Sequence, residues 1–347
     1  MILFDAPVHP DALTAFVREV PIEQNLNLLN LFPAEYLDTN TVDFAEIVRR
    51  NRTAQFRSFD GSIHVTERDA GSEKRVRLMP LSDSLNETEY ERLQRQFAQT
   101  GGTNVSALER AIYNDAENLT RYMLNRMQLA WGQLISNQGA LTINESGNGL
   151  KGFTADFGVP AAHKVTPAVA WSDHDNAKVI TDLTIWHDEY KKLAGPAGAV
   201  RMDTVTLRHV LRNKEVIDDL YGATQGKTRA KLSDLNDYLR EESLPVIQET
   251  TDSQVEVDGV ATPVIEPGTV WFAPANIREL GYTAWGVTAT ALELVEAQES
   301  ELEFGDASGI VGVIDKIGPP YRKFTFVDAV ALPILSNAKK LLVAKVL

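Results

Sequence analysis

The 347-residue sequence contains no cysteine. That absence removes disulfides, thiolate nucleophiles, iron–sulfur clusters and cysteine-based zinc sites together. Positive charge is scarce: 34 Lys and Arg stand against 48 Asp and Glu, a net charge of −14. A dedicated nucleic-acid binder needs a basic footprint, so the balance argues against that class; it does not rule out lying beside packed DNA without gripping it. No apolar run approaches the ~18 residues of a membrane span. The start, Met1-Ile2-Leu3-Phe4-Asp5, lacks the basic-then-apolar layout of a secretory signal. A soluble protein of a reducing cytoplasm is the expectation. Only six histidines occur, and none stands in an H-E-x-x-H spacing. No serine lies in G-x-S-x-G, so a nucleophile elbow is absent.

What is present is ordinary globular material, 44% hydrophobic and 24% charged. The length predicts about two domains. Residues 1–52 read as an arm: Pro7, Pro10, Pro21 and Pro33 punctuate short helical pieces. The apolar run Leu26, Leu28, Leu29, Leu31 and Phe32 has no compact pattern of its own and is expected to pack on something else. Residues 53–82 read as a long hairpin, with Ile63 and Val65 on one strand, Val76 and Leu78 on the other, and a turn at 69–72. A two-stranded ribbon is marginal by itself, so it must lean on another surface.

The strongest periodicity runs through Leu108, Ile112, Ala116, Leu119, Met123, Met127, Ala130 and Leu134. These positions make one stripe on a helix. Ser106 and Glu109 have capping-box spacing at its start, and Asn137 and Gly139 end it. At 1.5 Å per residue this predicts a rod of roughly 45 Å, long for a compact domain. Further on, short strands are expected at 140–143, 152–157, 168–171, 200–207 and 270–272. Helices are expected at 176–193, 210–221 and 232–239, and a hairpin at 254–264. The side chains of 291–304 alternate and carry Glu293, Glu296, Glu299, Glu301 and Glu303. The end is β-rich at 324–327 and 341–346, with Pro333 between.

Two glycine loops invite a nucleotide reading. Gly147-Asn148-Gly149-Leu150-Lys151-Gly152 spells G-x-G-x-x-G, but Gly158-Val159-Pro160 follows too soon for the long helix that a dinucleotide site needs. A plain β-turn is the simpler reading. Gly222-Ala223-Thr224-Gln225-Gly226-Lys227-Thr228 is one residue short of a P-loop, and a helical pattern precedes it where a strand is required. Asp173-His174-Asp175 and His187-Asp188-Glu189 could each supply one metal ligand. Consecutive residues point in different directions, so solvated polar surface is the simpler reading there. The Glu241-Glu242 and Glu301/Glu303 pairs read as charged faces rather than acid/base carboxylates.

A chain without a credible catalytic constellation is a candidate for a structural role. The order of arm, hairpin, long helix, β-rich region, α/β domain and returning strands resembles tailed-phage major capsid proteins of the Hong Kong 97 fold, family E (lambda-like). The resemblance rests on residues 315–325, Asp-Lys-Ile-Gly-Pro-Pro-Tyr-Arg-Lys-Phe-Thr, running into Val330-Ala331-Leu332-Pro333-Ile334-Leu335. It rests also on Val270-Trp271-Phe272 before Arg278-Glu279-Leu280-Gly281-Tyr282-Thr283, and on the helix-then-strand pattern of 176–207.

The resemblance implies an α+β fold in four regions: an N-terminal arm (1–52), an extended loop (53–85), a peripheral domain with the long helix as spine (86–174 and 306–347) and an α/β axial domain (175–305). It implies self-assembly into hexamers and pentamers that close an icosahedral shell around double-stranded DNA. A portal, a separate scaffolding protein and a decoration protein are the implied partners, with assembly in the host bacterial cytoplasm. Neither membrane, cofactor nor enzymatic activity is implied. Phe56, Phe59, Ile63, Val65, Arg75 and Arg77 of the hairpin, with Glu301 and Glu303, are the expected inter-subunit contacts. Arg-rich 49–57 and 75–77 would complement Glu-rich 293–303, setting register more than strength. Gly61 and Gly71 would let the hairpin bend. Two other readings remain: an encapsulin-like compartment shell, and a two-domain α/β enzyme using the glycine loops.

Overall fold

A computed structural model describes residues 2–4, 6–47, 71–87, 105–145, 150–222, 226–249, 253–257, 259–318 and 322–347. The chain opens with helices α1 (Pro10–Glu19) and α2 (Asn27–Leu31), then strands β1 (Ala34–Tyr36) and β2 (Thr41–Ile47). β3 (Gly71–Arg77) and β4 (Met79–Glu87) lead to the spine helix α3 (Val105–Ser136). Its 32 residues span about 48 Å. The expected stripe is its inner face: Ile112, Ala116, Leu119, Met123, Met127, Ala130 and Leu134 are all buried. Left-handed backbone stops the helix at Gln138 (φ 54°) and Gly139 (φ 86°), and the Gly139 N–H returns to the Leu134 carbonyl at 2.8 Å.

The arm does not project. Val8, Leu13, Val17, Leu28 and Phe32 sit in the same core as the spine. The Phe32 ring lies flat on Trp131, centroids 3.7 Å apart and planes within 3°. On α1, Thr14 Oγ1 donates to the Gly312 carbonyl (3.1 Å) and Arg18 Nε donates to the Ile310 carbonyl (2.9 Å). Helix α2 has no side-chain cap of its own. The spine supplies one: Gln128 Oε1, fully buried, accepts the Leu29 N–H at 3.0 Å, and Gln128 Nε2 donates to Asn27 Oδ1 at 2.6 Å. A free helix N-terminus leaves its first N–H groups without partners, and a glutamine on the facing helix satisfies one here. The expectation that this apolar segment packs elsewhere is thus met within the chain itself.

β3 pairs antiparallel with β2, placing Val76 opposite Val42 and Arg77 opposite Thr41; the strand expected at 63–66 lies outside the described residues. Gly71 and Ser72, expected in the turn, belong to β3.

β5 (Ala140–Glu145) and β6 (Leu150–Asp156) form a hairpin after the spine. β7 (Lys164–Val165) follows, then α4 (Val179–Ala194), β8 (Ala199–Met202), α5 (Thr204–Val210), α6 (Lys214–Tyr221), α7 (Leu232–Glu241) and β9 (Val246–Glu249). The expected strand over 200–207 ends early because Asp203 caps a helix. Its Oδ2 accepts the N–H groups of Val205 (3.0 Å) and Thr206 (3.2 Å). Asn213 similarly splits the expected 210–221 helix by capping α6. Residues 168–171 form no strand.

The hairpin β10 (Gln254–Val257) and β11 (Val260–Pro263) leads to β12 (Thr269–Ala273) and β13 (Gly281–Trp285). The expected alternation of 291–304 is not a strand: α8 (Ala289–Glu296), capped by Thr288 Oγ1, covers its start. β14 (Val311–Ile317), β15 (Arg322–Leu335) and β16 (Leu342–Lys345) close the chain.

Two larger sheets organise these elements. In one, β15 pairs with β4, β13 and β14, and β1 adds in parallel to β13. Pro333 lies inside β15, opposite Thr283, whose own N–H turns away to the Pro33 carbonyl. That pair exchanges no hydrogen bond, so the missing proline N–H costs nothing. The other sheet runs β7-β16-β12-β8-β9. It divides the molecule: Val270, Phe272, Leu342 and Ala344 face a core with α4 to α7, while Trp271, Ala273 and Val343 face the spine core. Pairing therefore crosses the expected region boundaries. β16 joins β12, and β13 joins β15.

Candidate assembly surfaces

The arginines of the expected contact sit on β3. Arg75 and Arg77 are both exposed, two residues apart and so on one face of the ribbon. Among the described residues, β2 and β3 form a sheet of two strands only. Phe56, Phe59, Ile63 and Val65, as well as Gly61, lie outside the described residues. Glu301 and Glu303 are exposed in the segment after α8. That segment is anchored by its backbone: the Glu301 N–H donates to Asp11 Oδ2 (2.8 Å), and Ser300 Oγ donates to Asp11 Oδ1 (2.6 Å). The anchor fixes the backbone on α1 and leaves the two glutamate side chains in solvent. The structure does not bring the Arg75/Arg77 pair and the Glu301/Glu303 pair into one ion pair within the chain.

The sites considered for small-molecule chemistry take other forms. Gly152 belongs to β6, which pairs antiparallel with β5; Gly147 and Gly149 of G-x-G-x-x-G lie outside the described residues. Gly222 ends α6, and Lys227 Nζ rests 3.4 Å above the centre of the Tyr221 ring. A helix thus leads into this loop where a P-loop has a strand. His187, expected as solvated surface, is buried on α4, and burial lowers its imidazole pKa. His163 is fully buried, with Nδ1 3.0 Å from the Leu341 carbonyl, and its pKa is also lowered by burial. His174 Nε2 and His209 Nδ1 form a hydrogen bond of 2.9 Å, and His209 is held low by burial and by the neighbouring His174 and Arg212. No group of three or more His, Asp and Glu that could hold a metal ion occurs among the described residues.

Sequence reasoning missed the contacts that dock the arm. Gln128 interrupts an otherwise apolar helix face, and a buried amide there requires a partner. The pairing of Phe32 with Trp131 had no local signal.

The sequence matches the family described as Phage major capsid protein E over residues 10–298. No curated protein matches it. Among solved structures, a capsid-protein candidate from a prophage of E. coli CFT073 superposes with a TM-score of 0.58 at 13% identity, covering 96% of this chain and 97% of that one. A phage-related protein from Bordetella bronchiseptica RB50 superposes at 0.54 with 12% identity, covering 96% and 95%. An encapsulin complex from Synechococcus elongatus PCC 7942 is more distant, with a TM-score of 0.42 at 9% identity, covering 94% of this chain and 90% of that one. With a family match from α1 to just beyond α8, and a spine helix, crossing sheets and α/β body of the Hong Kong 97 type, the chain belongs to the phage major capsid protein E family: it is a structural subunit of a virion capsid.

Proposed function

We propose that copies of this chain form hexamers and pentamers that close an icosahedral head around double-stranded DNA. The observation that carries this reading is the β2–β3 ribbon. Its two strands have no third partner among the described residues, and such a ribbon is marginal in water. Val42 and Val76 at its base pack on the chain's own core, and the rest of the ribbon gains its support from a neighbouring copy. In this reading Phe56, Phe59, Ile63 and Val65 form the apolar side of that contact. Arg75 and Arg77 face Glu301 and Glu303 of the neighbour, setting register. The four regions 1–52, 53–85, 86–174 with 306–347, and 175–305 serve as arm, extended loop, peripheral body and axial body.

The net charge of −14 suits a shell that must release its genome, since tight phosphate contacts would oppose ejection. The role is structural and uses no catalysis. A scaffolding protein, a portal and a decoration protein are the partners, and assembly takes place in the host bacterial cytoplasm. Expression with and without the neighbouring phage genes, followed by sedimentation and negative-stain microscopy, tests the proposal. Closed shells are expected. A chain that stays solitary in both preparations and turns over a nucleotide would overturn it.

A further inference from the structure

Three cations converge on one groove of about 590 Å³ in the α/β body. Arg208 projects from α5, and Arg229 and Lys231 come from the segment that enters α7. The floor is apolar: Leu207, Leu211 and Leu232 line it. The segment is pinned over α5 by the Ala230 N–H, which donates to the Leu211 carbonyl at 2.7 Å. Arg208, Arg229 and Lys231 are exposed. Lys231 lends its charge to Asp234 on α7, while Arg208 and Arg229 make no ion pair with a described residue in a chain with 14 more carboxylates than cations.

The same body carries the opposite charge on other helices. Asp182 on α4 and Glu215, Asp218 and Asp219 on α6 form one acidic face. Burial raises the Asp219 pKa, and Glu215 and Asp218 push it further up against the pull of Lys178. Asp182 is raised by burial and by Glu215. Glu215 is already occupied: Oε2 accepts the Ile180 N–H (2.9 Å) and Oε1 accepts Thr181 Oγ1 (2.6 Å). Asp218 and Asp219 form no ion pair with a described residue. A closed ring of identical subunits uses two different, complementary patches on each copy. A basic groove and an acidic face on one body, with Arg208, Arg229, Asp218 and Asp219 in no ion pair with a described residue, meet that requirement.

We propose that the Arg208/Arg229/Lys231 groove of one copy receives the Asp218/Asp219 face of a second copy, head to tail around each capsomer. This rests on the shell reading above and names the axial contact that reading requires. Long-range charge would guide the encounter, and the leucine floor would exclude water from the seated pair.

The test is a charge swap in the full chain, expressed with its phage genes. Arg208→Glu/Arg229→Glu and, separately, Asp218→Lys/Asp219→Lys each set like charges face to face. Each should lower the sedimenting shell fraction by about tenfold or more. Circular-dichroism melts of the unassembled chain should stay within a few degrees of wild type. The variant carrying all four substitutions restores opposite charges and should recover most of the shells. Normal shells from either double variant would overturn the inference, as would loss without recovery in the fourfold variant. The latter result assigns the groove to another polyanion, such as a scaffold segment or nucleic acid. If wild type forms no shells in the same expression, the shell reading fails first, and the two failures are told apart.

Discussion

Replacing Phe32 by alanine should release the arm from the spine. The ring is 1% exposed and stacked on Trp131, itself fully buried. Removing a buried phenylalanine costs about 3–5 kcal/mol through lost transfer energy and the cavity left behind. Its stacking partner cannot collapse into that cavity, because Trp131 Nε1 is held by Thr283 Oγ1 at 2.9 Å. The loss falls on local opening of α1, α2 and β1, since these segments dock on the spine and on the β13–β15 sheet. At about 1.4 kcal/mol per tenfold, the open population should rise by roughly 10²-fold to 4 × 10³-fold. Hydrogen exchange on the unassembled chain reads this directly: amides in α1 and α2 should lose protection by that factor, while α4 and β12 keep theirs. Unchanged arm protection would refute the reasoning. So would wild-type arm amides that already exchange freely, for then the arm finds its partner only in the shell.

Other perturbations test neighbouring parts of the account. Gln128→Leu keeps the helix face apolar but leaves the buried Leu29 N–H without an acceptor, and should cost about 1–3 kcal/mol in urea unfolding; a neutral result would remove the capping role. Gly132→Ala adds a methyl that would sit 1.8 Å from the Val264 carbonyl oxygen, so the melting temperature should fall despite alanine's better helix propensity; a rise would show that 264 moves away freely. Acid should weaken the α/β body. Burial sets the folded pKa values of His163, His187 and His209 below the ordinary imidazole value. The unfolded chain therefore binds more protons between the two values. Their stabilisation is whole above about pH 6.5 and is lost as pH falls through and below it. Urea midpoints should drop from pH 7.5 to 5.5, and equal midpoints would contradict this.

Much of the fold was legible where structure is local. The 4-3-4-4-3-4 spacing from Ile112 to Leu134 marks the spine as a helix and picks out its buried face, because helical contacts repeat within a turn. The hairpin around Gly259 is equally local. The rest depended on partners distant in sequence. Val76 pairs with Val42, 34 residues earlier in the chain, a choice no local pattern encodes. A single capping residue, Asp203, turned an apparent strand into a strand and a helix. The acidic run at 291–304 alternates, yet Thr288 starts a helix there. At the surface, the exposed Arg75, Arg77, Glu301 and Glu303 were legible as residue types. The basic groove was not, because Arg208 and Arg229 meet only through the fold of α5 against the 229–232 segment.

In the proposed shell this body, arm included, is a finished tile whose ribbon and axial charges join it to its neighbours. A cryo-electron microscopy reconstruction of the assembled particle tests it most directly. Rings of six and five copies should appear, each copy with α1 and α2 on its own spine, its ribbon across the adjacent subunit, and Arg208 and Arg229 against the next copy's α6. A reconstruction in which α1 and α2 cross to another subunit's spine, or in which the ribbon touches no neighbour, would contradict the account.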